Sequence, residues 1–368
     1  MNKIPLVNLE RQYECLRGEI LEITDQVFRS GAFISGPYVR TFEKEFAASH
    51  DARFGIGCSS GTSALTVILQ ALGLKAGDEA ITTPHTFFAT AESMLAIGVT
   101  PKFVDVDPET HCLDVRKLEA AMTPKVKAIV PVHIYGNPCD LPNLQAFAKK
   151  HRIALVEDCA QSHFARIGGK FVGSTSDGAA FSFYPGKNLG APGDAGFIFA
   201  GSESVSNIAR KLCDHGRSEK YLHDSVGFNH RMDGLHGAIL SLKLKRMPEY
   251  TKKRVALAKR YQSAFAGKGY KMPAAYPTAE PVYHLFVVEV SNRARVLESL
   301  NAVGIQAGVH YPVPLHLQPA LKFLGYARGS LPVAERVADR VVSLPLCPEL
   351  TESEQDFVIQ KFLEVAEK

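Results

Sequence analysis

The sequence has few of the features that mark membrane, secreted or metal-rich proteins. No apolar run approaches the ~20 residues that a membrane-spanning helix needs, and the N-terminal stretch MNKIPLVNLERQYE becomes polar too early for a signal peptide. The cysteines contain no CxxC pair, which argues against a disulfide framework, a zinc site or an iron–sulfur cluster. They stand singly, at Cys15, Cys58, Cys112, Cys139, Cys159, Cys213 and Cys347. We therefore expect a soluble cytoplasmic protein without a metal.

Charge and motif content exclude further classes of function. The formal net charge is only +4, from 42 basic and 38 acidic residues, so nothing demands nucleic acid or an anionic membrane as a partner. A mildly basic protein still tolerates a phosphorylated substrate. The chain contains neither a Walker loop nor a GxGxxG motif, which removes the usual support for nucleoside triphosphate or dinucleotide binding.

Between about residues 53 and 200, short apolar runs alternate with helical patterns. The runs are FGIGCSS, EAITTP, PKFVDVD, KAIVPVHIYG, IALVEDCA, AAFSFYP and GFIFAG, and the helical patterns are TSALTVILQALGL, TAESMLAIG, VRKLEAAM and LPNLQAFAKKH. Runs rich in Val, Ile and Ala suit strands that are buried on both faces. The alternation predicts an α/β fold with a mostly parallel, doubly wound sheet and a site at the C-terminal ends of its strands.

After Met247 and Pro248 the pattern changes. Helices are predicted over 252–265, 293–304 and 352–368, and strands over 282–290 and 307–312, while PTAEP and PVPLHLQPA are typical of loops. This order indicates a smaller α+β domain. We predict a large domain over 1–247, including the N-terminal segment, and a small C-terminal domain over 248–368.

Lys187 is the first candidate for chemistry. It follows the apolar run and turn FSFYPG, and a lysine that enters a pocket from such a turn is partly desolvated. Desolvation lowers the pKa of the amine, which can then form a Schiff base with a carbonyl compound. The alternative is an ordinary solvated loop lysine.

Two other weak signals accompany Lys187. Asp158 ends the run IALVE, where its carboxylate can pair with a protonated pyridine nitrogen, although an aspartate there is also a common helix N-cap. The stretch Ser60–Ser63 joins a strand to a helix, and the free N–H groups of a helix N-terminus bind phosphate; capping of the helix is the alternative. Pyridoxal phosphate (PLP) requires a phosphate site, a carboxylate and a lysine, and all three are present.

The chain resembles the DegT/DnrJ/StrS family of nucleotide-sugar aminotransferases, a branch of the fold-type I PLP enzymes. The most specific matches are SSGTSAL, PHTFFATAE, AIVPVHIYGNPCDL, VEDCAQSH, FSFYPGKNLGAPGDAG, GFNHRMD and GVHYPVPLHLQPA. Phe164, Cys159 and His236 depart from the usual family pattern, and Phe164, where the family generally has glycine, is bulky enough to reshape its loop.

The resemblance implies a role for each matching residue. Gly61, Thr62 and Ser182 are expected to hold the cofactor phosphate, and Phe87 to stack on the cofactor ring. Asp158 is expected to pair with the ring nitrogen and Gln161 to reach the ring hydroxyl.

One residue is expected to act in a neighbouring subunit. Asn229 resembles the residue that the family lends to the neighbour's phosphate site, which implies a homodimer with shared active sites.

The substrate contacts are less specific. Tyr184 lies three residues before Lys187 and is either a second proton carrier or a core aromatic. His310, in a family motif, is expected to contact the sugar or the diphosphate and to assist catalysis, with Tyr311 and His316 beside it. The planar guanidinium of Arg231 suits the substrate diphosphate.

The resemblance predicts transamination from L-glutamate to a nucleotide-linked keto sugar, most closely a dTDP-3-keto-6-deoxyhexose. A C-4 or UDP-linked substrate remains open. The competing hypotheses are a PLP-dependent sugar dehydratase, whose relatives carry histidine in place of the lysine, and a silent sugar-sensing homologue. An ordinary amino-acid aminotransferase lacks the end-to-end motif match.

Overall fold

The computed structural model describes residues 3–366. Its α-helices are α1 Leu9–Ser30, α2 Gly36–Ser49, α3 Gly61–Ala71, α4 Ala89–Leu95, α5 Leu141–His151, α6 Glu203–Cys213, α7 Gly234–Leu244, α8 Met247–Phe265, α9 Arg293–Ala302, α10 Pro332–Arg340 and α11 Glu352–Val365. Its strands are β1 Gly55–Cys58, β2 Glu79–Thr82, β3 Thr100–Phe103, β4 Val126–Val130, β5 Ala154–Asp158, β6 Arg166–Ile167, β7 Lys170–Phe171, β8 Gly178–Ser182, β9 Gly196–Ala200, β10 Arg217–Glu219, β11 Leu222–His223, β12 Ala279–Glu280, β13 Phe286–Glu289 and β14 Val341–Leu344.

A seven-stranded sheet forms the centre of the N-terminal part, in the order β1-β9-β8-β5-β4-β2-β3. The strands from β8 to β3 are parallel to their neighbours, whereas β9 runs antiparallel to both β8 and β1. The predicted mostly parallel α/β fold is therefore confirmed, with one antiparallel strand that the sequence pattern did not distinguish. The parallel order brings the C-terminal ends of β2, β4, β5 and β8 to one edge.

The two faces of this sheet enter two separate apolar clusters. In β8, Ala179 and Phe181 pack into one cluster with helix α2, while Ala180 packs into the other with helix α3. Alternate side chains of a strand point to opposite faces, so a sheet covered on both sides needs apolar residues at every position. This is why the strand sequences are continuous apolar runs.

Two sequence predictions of secondary structure were wrong. The predicted helix over 115–122 is a pair of short 3₁₀ turns, Val115–Lys117 and Glu119–Ala121, because Pro124 follows at once and leaves no length for a stable α-helix. The predicted strand over 307–312 forms only a single bridge, Gly308 with Ser343. The sequence analysis also gave no prediction for several elements, among them α1, α2, α6, α7, α10 and β14.

The C-terminal part contains a third apolar cluster built from α8, α9, α11 and the antiparallel pair β13–β14. Ile4 belongs to this cluster and pairs with Ile305, although it lies near the start of the chain. Helix α8 contacts both parts, because Tyr250 packs in the N-terminal cluster and Tyr261 in the C-terminal one. The division at residue 247 stays a prediction.

Two smaller observations complete the fold. The predicted C-terminal helix is present as α11, and its last two predicted residues, 367 and 368, lie outside the described part of the chain. Among the described helices, none combines the length and the apolar character that crossing a bilayer requires.

Candidate active site

The sheet edge described above brings several of the sequence-predicted residues together. Strand β5 ends at Asp158 and strand β8 ends at Ser182, with Asp158 paired in register to Ala180. Lys187 follows β8 by one turn, and the N-terminus of α3 lies against Ser182. The cleft is thus built from the ends of parallel strands, as the fold class predicts.

The N-terminus of α3 forms a cradle for an anion. The Ser60 hydroxyl accepts the N–H of Ser63 at 3.0 Å, while the first helical N–H groups, of Gly61 and Thr62, have no partner within the helix. A Cβ atom on Gly61 would lie 2.7 Å from Cβ of Ser182, so only glycine allows the helix to approach this strand end. The N-terminus of α3, with the N–H groups of Gly61 and Thr62, therefore lies beside Ser182, where the helix dipole favours negative charge.

Asp158 is held as a buried acceptor. Its Oδ2 accepts the hydroxyl of Thr90 at 2.8 Å and its Oδ1 accepts the N–H of Ala160 at 3.1 Å. Burial raises the pKa of the carboxyl above its ordinary value, and these two donors and the Lys187 charge oppose that rise. A cation placed beside Asp158 would stabilise the ionised form further.

Lys187 is partly buried and its side chain lacks a fixed partner. Its backbone N–H donates to the Tyr184 carbonyl at 2.8 Å, which closes the turn that the Pro-Gly pair begins. Burial lowers the pKa of the amine from 10.5 to about 8, and the Asp158 charge opposes this shift. Within residues 3–366 its Nζ makes no hydrogen bond or ion pair, so the amine is free to react with a ligand.

A buried lysine secures the loop that carries Lys187. Nζ of Lys243, on α7, donates to the Gly190 carbonyl at 2.5 Å. A Cβ atom on Gly190 would lie 2.3 Å from the Pro185 carbonyl oxygen, so this close approach of the chain requires glycine. These contacts at Pro185 and Gly190 hold the loop in place on both sides of Lys187, which limits the positions that the Lys187 amine can reach.

Two aromatic side chains among the predicted site residues, Phe87 and Tyr184, are exposed. Phe87 is 56% exposed and its ring centroid lies 5.7 Å from that of Tyr311. Tyr184 is 58% exposed, which excludes its alternative as a core aromatic. Large aromatic side chains left open in this way are suited to cover a planar ligand or to contact a substrate.

The C-terminal part contributes His310 and Tyr311. His310 contacts the Ser343 hydroxyl through Nδ1 at 2.9 Å, and burial together with the Lys187 charge lowers its pKa to about 4. The Tyr311 hydroxyl accepts from Nε2 of Gln161 at 3.2 Å, and burial followed by the Asp158 charge raises its pKa. The pKa of His310 therefore depends on the charge of Lys187, and the pKa of Tyr311 on the charge of Asp158. Gln161, three residues after the end of β5, contacts Tyr311.

The other predicted contacts lie elsewhere in this chain. Asn229 is exposed on a segment that pairs with Asp214, and Nη1 of Arg231 lies 3.4 Å from the same aspartate. His316 is buried, with Nε2 2.9 Å from Glu335. Because its side chain is enclosed and paired, we leave His316 out of the proposed site.

Sequence reasoning missed two residues that hold the site together. The Thr90 hydroxyl donates a hydrogen bond to Asp158. The Tyr135 hydroxyl is hydrogen-bonded to His85 and donates to the His310 carbonyl. Both lie inside the family-like stretches PHTFFATAE and VHIYG, which were the available signal. Their partners are distant in the chain, so only the fold identifies the contacts.

Phe164, the notable departure from the family pattern, keeps a glycine-like backbone. Its φ is 68°, in the left-handed region. Its N–H donates to Nε2 of His50 at 3.2 Å, and its ring centroid lies 4.5 Å from that of His50. Phe164 therefore adopts the left-handed backbone conformation that glycine adopts easily, despite its bulky side chain.

The positions and chemistry of the described residues are suited to bind PLP. The glycine-dependent cradle at Gly61 accommodates a phosphate, and the buried carboxylate of Asp158 accommodates a protonated ring nitrogen. The unpaired amine of Lys187 provides the nucleophile for the aldehyde.

Comparison with known proteins agrees with this fit. The sequence model of the DegT/DnrJ/EryC1/StrS aminotransferase family matches residues 14–363. The chain is 42% identical to a pleiotropic regulatory protein of Geobacillus stearothermophilus, with 98% of each chain covered. It is 40% identical to the UDP-N-acetyl-3-dehydro-alpha-D-glucosamine 3-aminotransferase of Acidithiobacillus ferrooxidans, with 95% of each covered. It is 39% identical to the dTDP-3-amino-3,4,6-trideoxy-alpha-D-glucose transaminase of Streptomyces venezuelae, covering 100% of this chain and 97% of the relative.

Solved structures are equally similar. The crystal structure of S. venezuelae DesV in complex with a ketimine intermediate superposes with a TM-score of 0.97 at 39% identity, covering 99% of this chain and 98% of that one. NtdA of Bacillus subtilis with the bound cofactor pyridoxamine phosphate superposes with a TM-score of 0.92 at 34% identity, covering 99% and 85%. The chain therefore belongs to the DegT/DnrJ/EryC1/StrS aminotransferase family, whose cofactor is PLP.

Proposed function

We propose that this protein transfers the amino group of L-glutamate to C-3 of a nucleotide-linked 3-keto hexose, with a dTDP-3-keto-6-deoxyhexose as the first candidate. The observation that carries the proposal is the unpaired Lys187 amine, whose pKa is lowered by desolvation to about 8, near the buried carboxylate of Asp158. An amine that loses its proton near pH 8, together with a carboxylate for the ring nitrogen, is the pairing that PLP-dependent amino transfer requires.

Each proposed cofactor-binding group interacts with a different part of PLP. When bound, PLP supplies an aldehyde that accepts an amino group and a ring that withdraws electrons from the reacting carbon. The N–H groups of Gly61 and Thr62 and the Ser182 hydroxyl would bind the phosphate, and Phe87 would cover the ring face. Asp158 would keep the ring nitrogen protonated, because the negative charge of the carboxylate stabilises the positive charge of the nitrogen.

Lys187 acts as both anchor and proton carrier. Its Nζ would hold the cofactor until the amino donor binds. As a free amine, Nζ would accept the proton from the donor carbon and return it to the cofactor carbon, which its lowered pKa allows near neutral pH. Tyr184, three residues earlier and exposed, is the second candidate proton carrier.

The substrate is assigned to the side of the cleft that the C-terminal part covers. His310 and Tyr311 are the proposed sugar contacts, and Gln161, bonded to the Tyr311 hydroxyl, is the proposed contact to the ring hydroxyl of the cofactor. Arg231 is the proposed diphosphate contact. It lies with Asn229 on the segment that we assign to the active site of a second copy of this chain in a homodimer.

The ring position and the nucleotide rest on relatives. The S. venezuelae and A. ferrooxidans relatives carry names that place the amino group at C-3, one on a dTDP sugar and one on a UDP sugar. This supports C-3 and leaves UDP as the alternative nucleotide. A C-4 substrate stays open as the alternative ring position.

The regulatory name of the G. stearothermophilus relative favours a second candidate, a sugar-sensing protein without turnover. Lys187 argues against it, because a sensor has no chemical use for a desolvated amine opposite Asp158. Lysine at 187 also disfavours the dehydratase, whose relatives carry histidine there.

One experiment tests the activity. The protein is converted to its pyridoxamine form with L-glutamate and then mixed with a panel of dTDP- and UDP-linked 3-keto and 4-keto sugars. Return of the aldehyde absorbance with a 3-keto sugar is expected. A protein that accepts L-glutamate but no keto sugar contradicts the substrate assignment, and one that binds sugars without any spectral change supports the sensor.

The shared site has its own test. Lys187→Ala and Asn229→Ala variants, each inactive or nearly so alone, are unfolded together, refolded and assayed. A hybrid dimer contains one site with both changes and one intact site, so activity is expected to reappear in the mixture. If each site were complete within one chain, mixing would restore nothing.

A further inference from the structure

Tyr135 lies beneath the cleft in a conformation that a large side chain rarely adopts. It follows β4 in the stretch VHIYG, it is 3% exposed, and its φ of 61° lies in the left-handed region. An L-residue in this region costs about 1–2 kcal/mol unless its surroundings fix it. The contacts of Tyr135 therefore need to be specific.

The hydroxyl of Tyr135 joins two loops that are far apart in sequence. It donates to the His310 carbonyl at 2.7 Å, and Nε2 of His85 lies 2.5 Å from it. Since the single hydroxyl proton is used toward His310, His85 must donate its Nε2 proton to the tyrosine oxygen. Burial, together with His111, lowers the pKa of His85 to about 3, so this histidine stays neutral and its tautomer is fixed.

The backbone of Tyr135 reaches the same segment by a second route. Its N–H donates to Oε1 of Gln161 at 2.6 Å, and Nε2 of Gln161 donates to the Tyr311 hydroxyl at 3.2 Å. One residue thus supports the carbonyl of His310 directly and the side chain of Tyr311 through Gln161. Four family-like stretches, around residues 85, 135, 161 and 310, meet at this point.

We propose that Tyr135 is a positioning residue that holds the His310–Tyr311 segment in the cleft for the sugar substrate, an inference that rests on the proposed function. Ser343 and the Gly308 bridge anchor the segment to the C-terminal part, and the Leu315 N–H, four residues further on, donates to the Pro84 carbonyl of the N-terminal part. Tyr135 belongs to the N-terminal part that carries Lys187 and Asp158. It therefore sets the distance between the cofactor side and the substrate side of the site.

The test removes one oxygen atom. Tyr135→Phe keeps the ring, but leaves the His310 carbonyl without its donor and the His85 proton without its acceptor. In the holoenzyme we expect the L-glutamate half-reaction to change by less than about twofold, while the keto-sugar half-reaction slows at least about tenfold, with most of the loss in the KM for the sugar.

The matched control is Tyr261→Phe. Tyr261 is fully buried in the C-terminal cluster, and its hydroxyl also donates to a backbone carbonyl, that of Pro345, at 2.9 Å. This variant loses a comparable hydrogen bond away from the cleft. We expect a similar fall in Tm for both variants, and an unchanged sugar half-reaction for Tyr261→Phe alone.

A second readout needs no substrate. Hydrogen exchange of the peptide that spans 308–315 reports whether the segment is held, because its Gly308 and Leu315 N–H groups are hydrogen-bonded to Ser343 and Pro84. Faster exchange there in Tyr135→Phe, but not in Tyr261→Phe, is expected. Unchanged exchange, or equal losses in both half-reactions, overturns the proposal. If the wild-type protein accepts no keto sugar, the proposed function fails while the exchange result still decides whether Tyr135 holds the segment.

Discussion

The hydrogen bond from Thr90 to Asp158 can be used to measure how much one donor to this carboxylate contributes to PLP binding. Thr90→Val replaces the hydroxyl with a methyl group of the same shape and removes the donor 2.8 Å from Oδ2. A hydrogen bond to a charged group contributes about 1.5–3 kcal/mol. That range corresponds to roughly one to two pKa units and about 10- to 150-fold in an equilibrium constant.

The direction follows from the charge state of Asp158. Burial already raises the pKa of this carboxyl, and Thr90 is the first of the groups that oppose the rise. PLP binding needs the ionised form opposite the ring nitrogen, whereas the free protein can protonate the carboxyl instead. Loss of the donor therefore weakens cofactor binding, and we expect the Kd for PLP to rise about tenfold at pH 7, with a larger rise at lower pH.

The control for this change is Thr82→Val. Thr82 is fully buried at the end of β2, and its hydroxyl donates to the Val130 carbonyl at 2.8 Å. Both variants should lose stability, measured by urea unfolding of the apoprotein. Only Thr90→Val should alter the absorbance titration with PLP; equal affinities for wild type and Thr90→Val would refute the reasoning, as would an equal loss in Thr82→Val.

Three further outcomes are expected. The rate of PLP uptake, followed by absorbance, should rise with pH and level off above about 8, because the pKa of Lys187 is lowered to about 8 and the neutral amine is the nucleophile. Lys187→Ala should give no borohydride-stable adduct at any pH, and a profile still rising near pH 10 would contradict the lowered pKa. Phe164→Gly should be less destabilising than Phe164→Ala in urea unfolding, by about 1 kcal/mol, because only alanine retains the left-handed strain while both lose the contact with His50; the reverse order would contradict the strain. His316→Ala should lower the free energy of unfolding by about 2 kcal/mol through its bond to Glu335, with unchanged Kd for PLP and KM for the sugar; a raised KM would restore His316 to the substrate site.

The seven-stranded sheet was largely predictable from sequence because its strands are buried on both faces. Burial on both sides forces continuous apolar runs, and these identified β1, β2, β4, β5, β8 and β9 at or near their observed places. A continuous apolar run does not indicate the direction of the strand, so nothing in GFIFAG revealed that β9 runs antiparallel to β8. The segment 307–312 contains a valine and a tyrosine suited to a strand, yet it is held by side-chain and loop contacts instead of a ladder.

The candidate site divides in the same way. Lys187, Asp158 and Gly61 were identifiable because each lies beside a strand end and within a short motif. Thr90 and Tyr135 were not, since their roles are hydrogen bonds to residues 68 and 175 positions away. His316 shows the opposite case: it stands near His310 in the chain, but the fold buries it against Glu335.

By itself, the sequence determined the α/β class, the edge of the sheet that carries the candidate site, and the lysine, carboxylate and helix start of the proposed cofactor site. These depend on local order along the chain, which sets hydrophobic periodicity and the residues that follow each strand. Only the tertiary structure decided how far the pKa of Lys187 falls, which donors hold Asp158, and how Tyr135 joins the two sides of the cleft. Burial and long-range hydrogen bonds arise when distant segments pack together, so no local pattern records them.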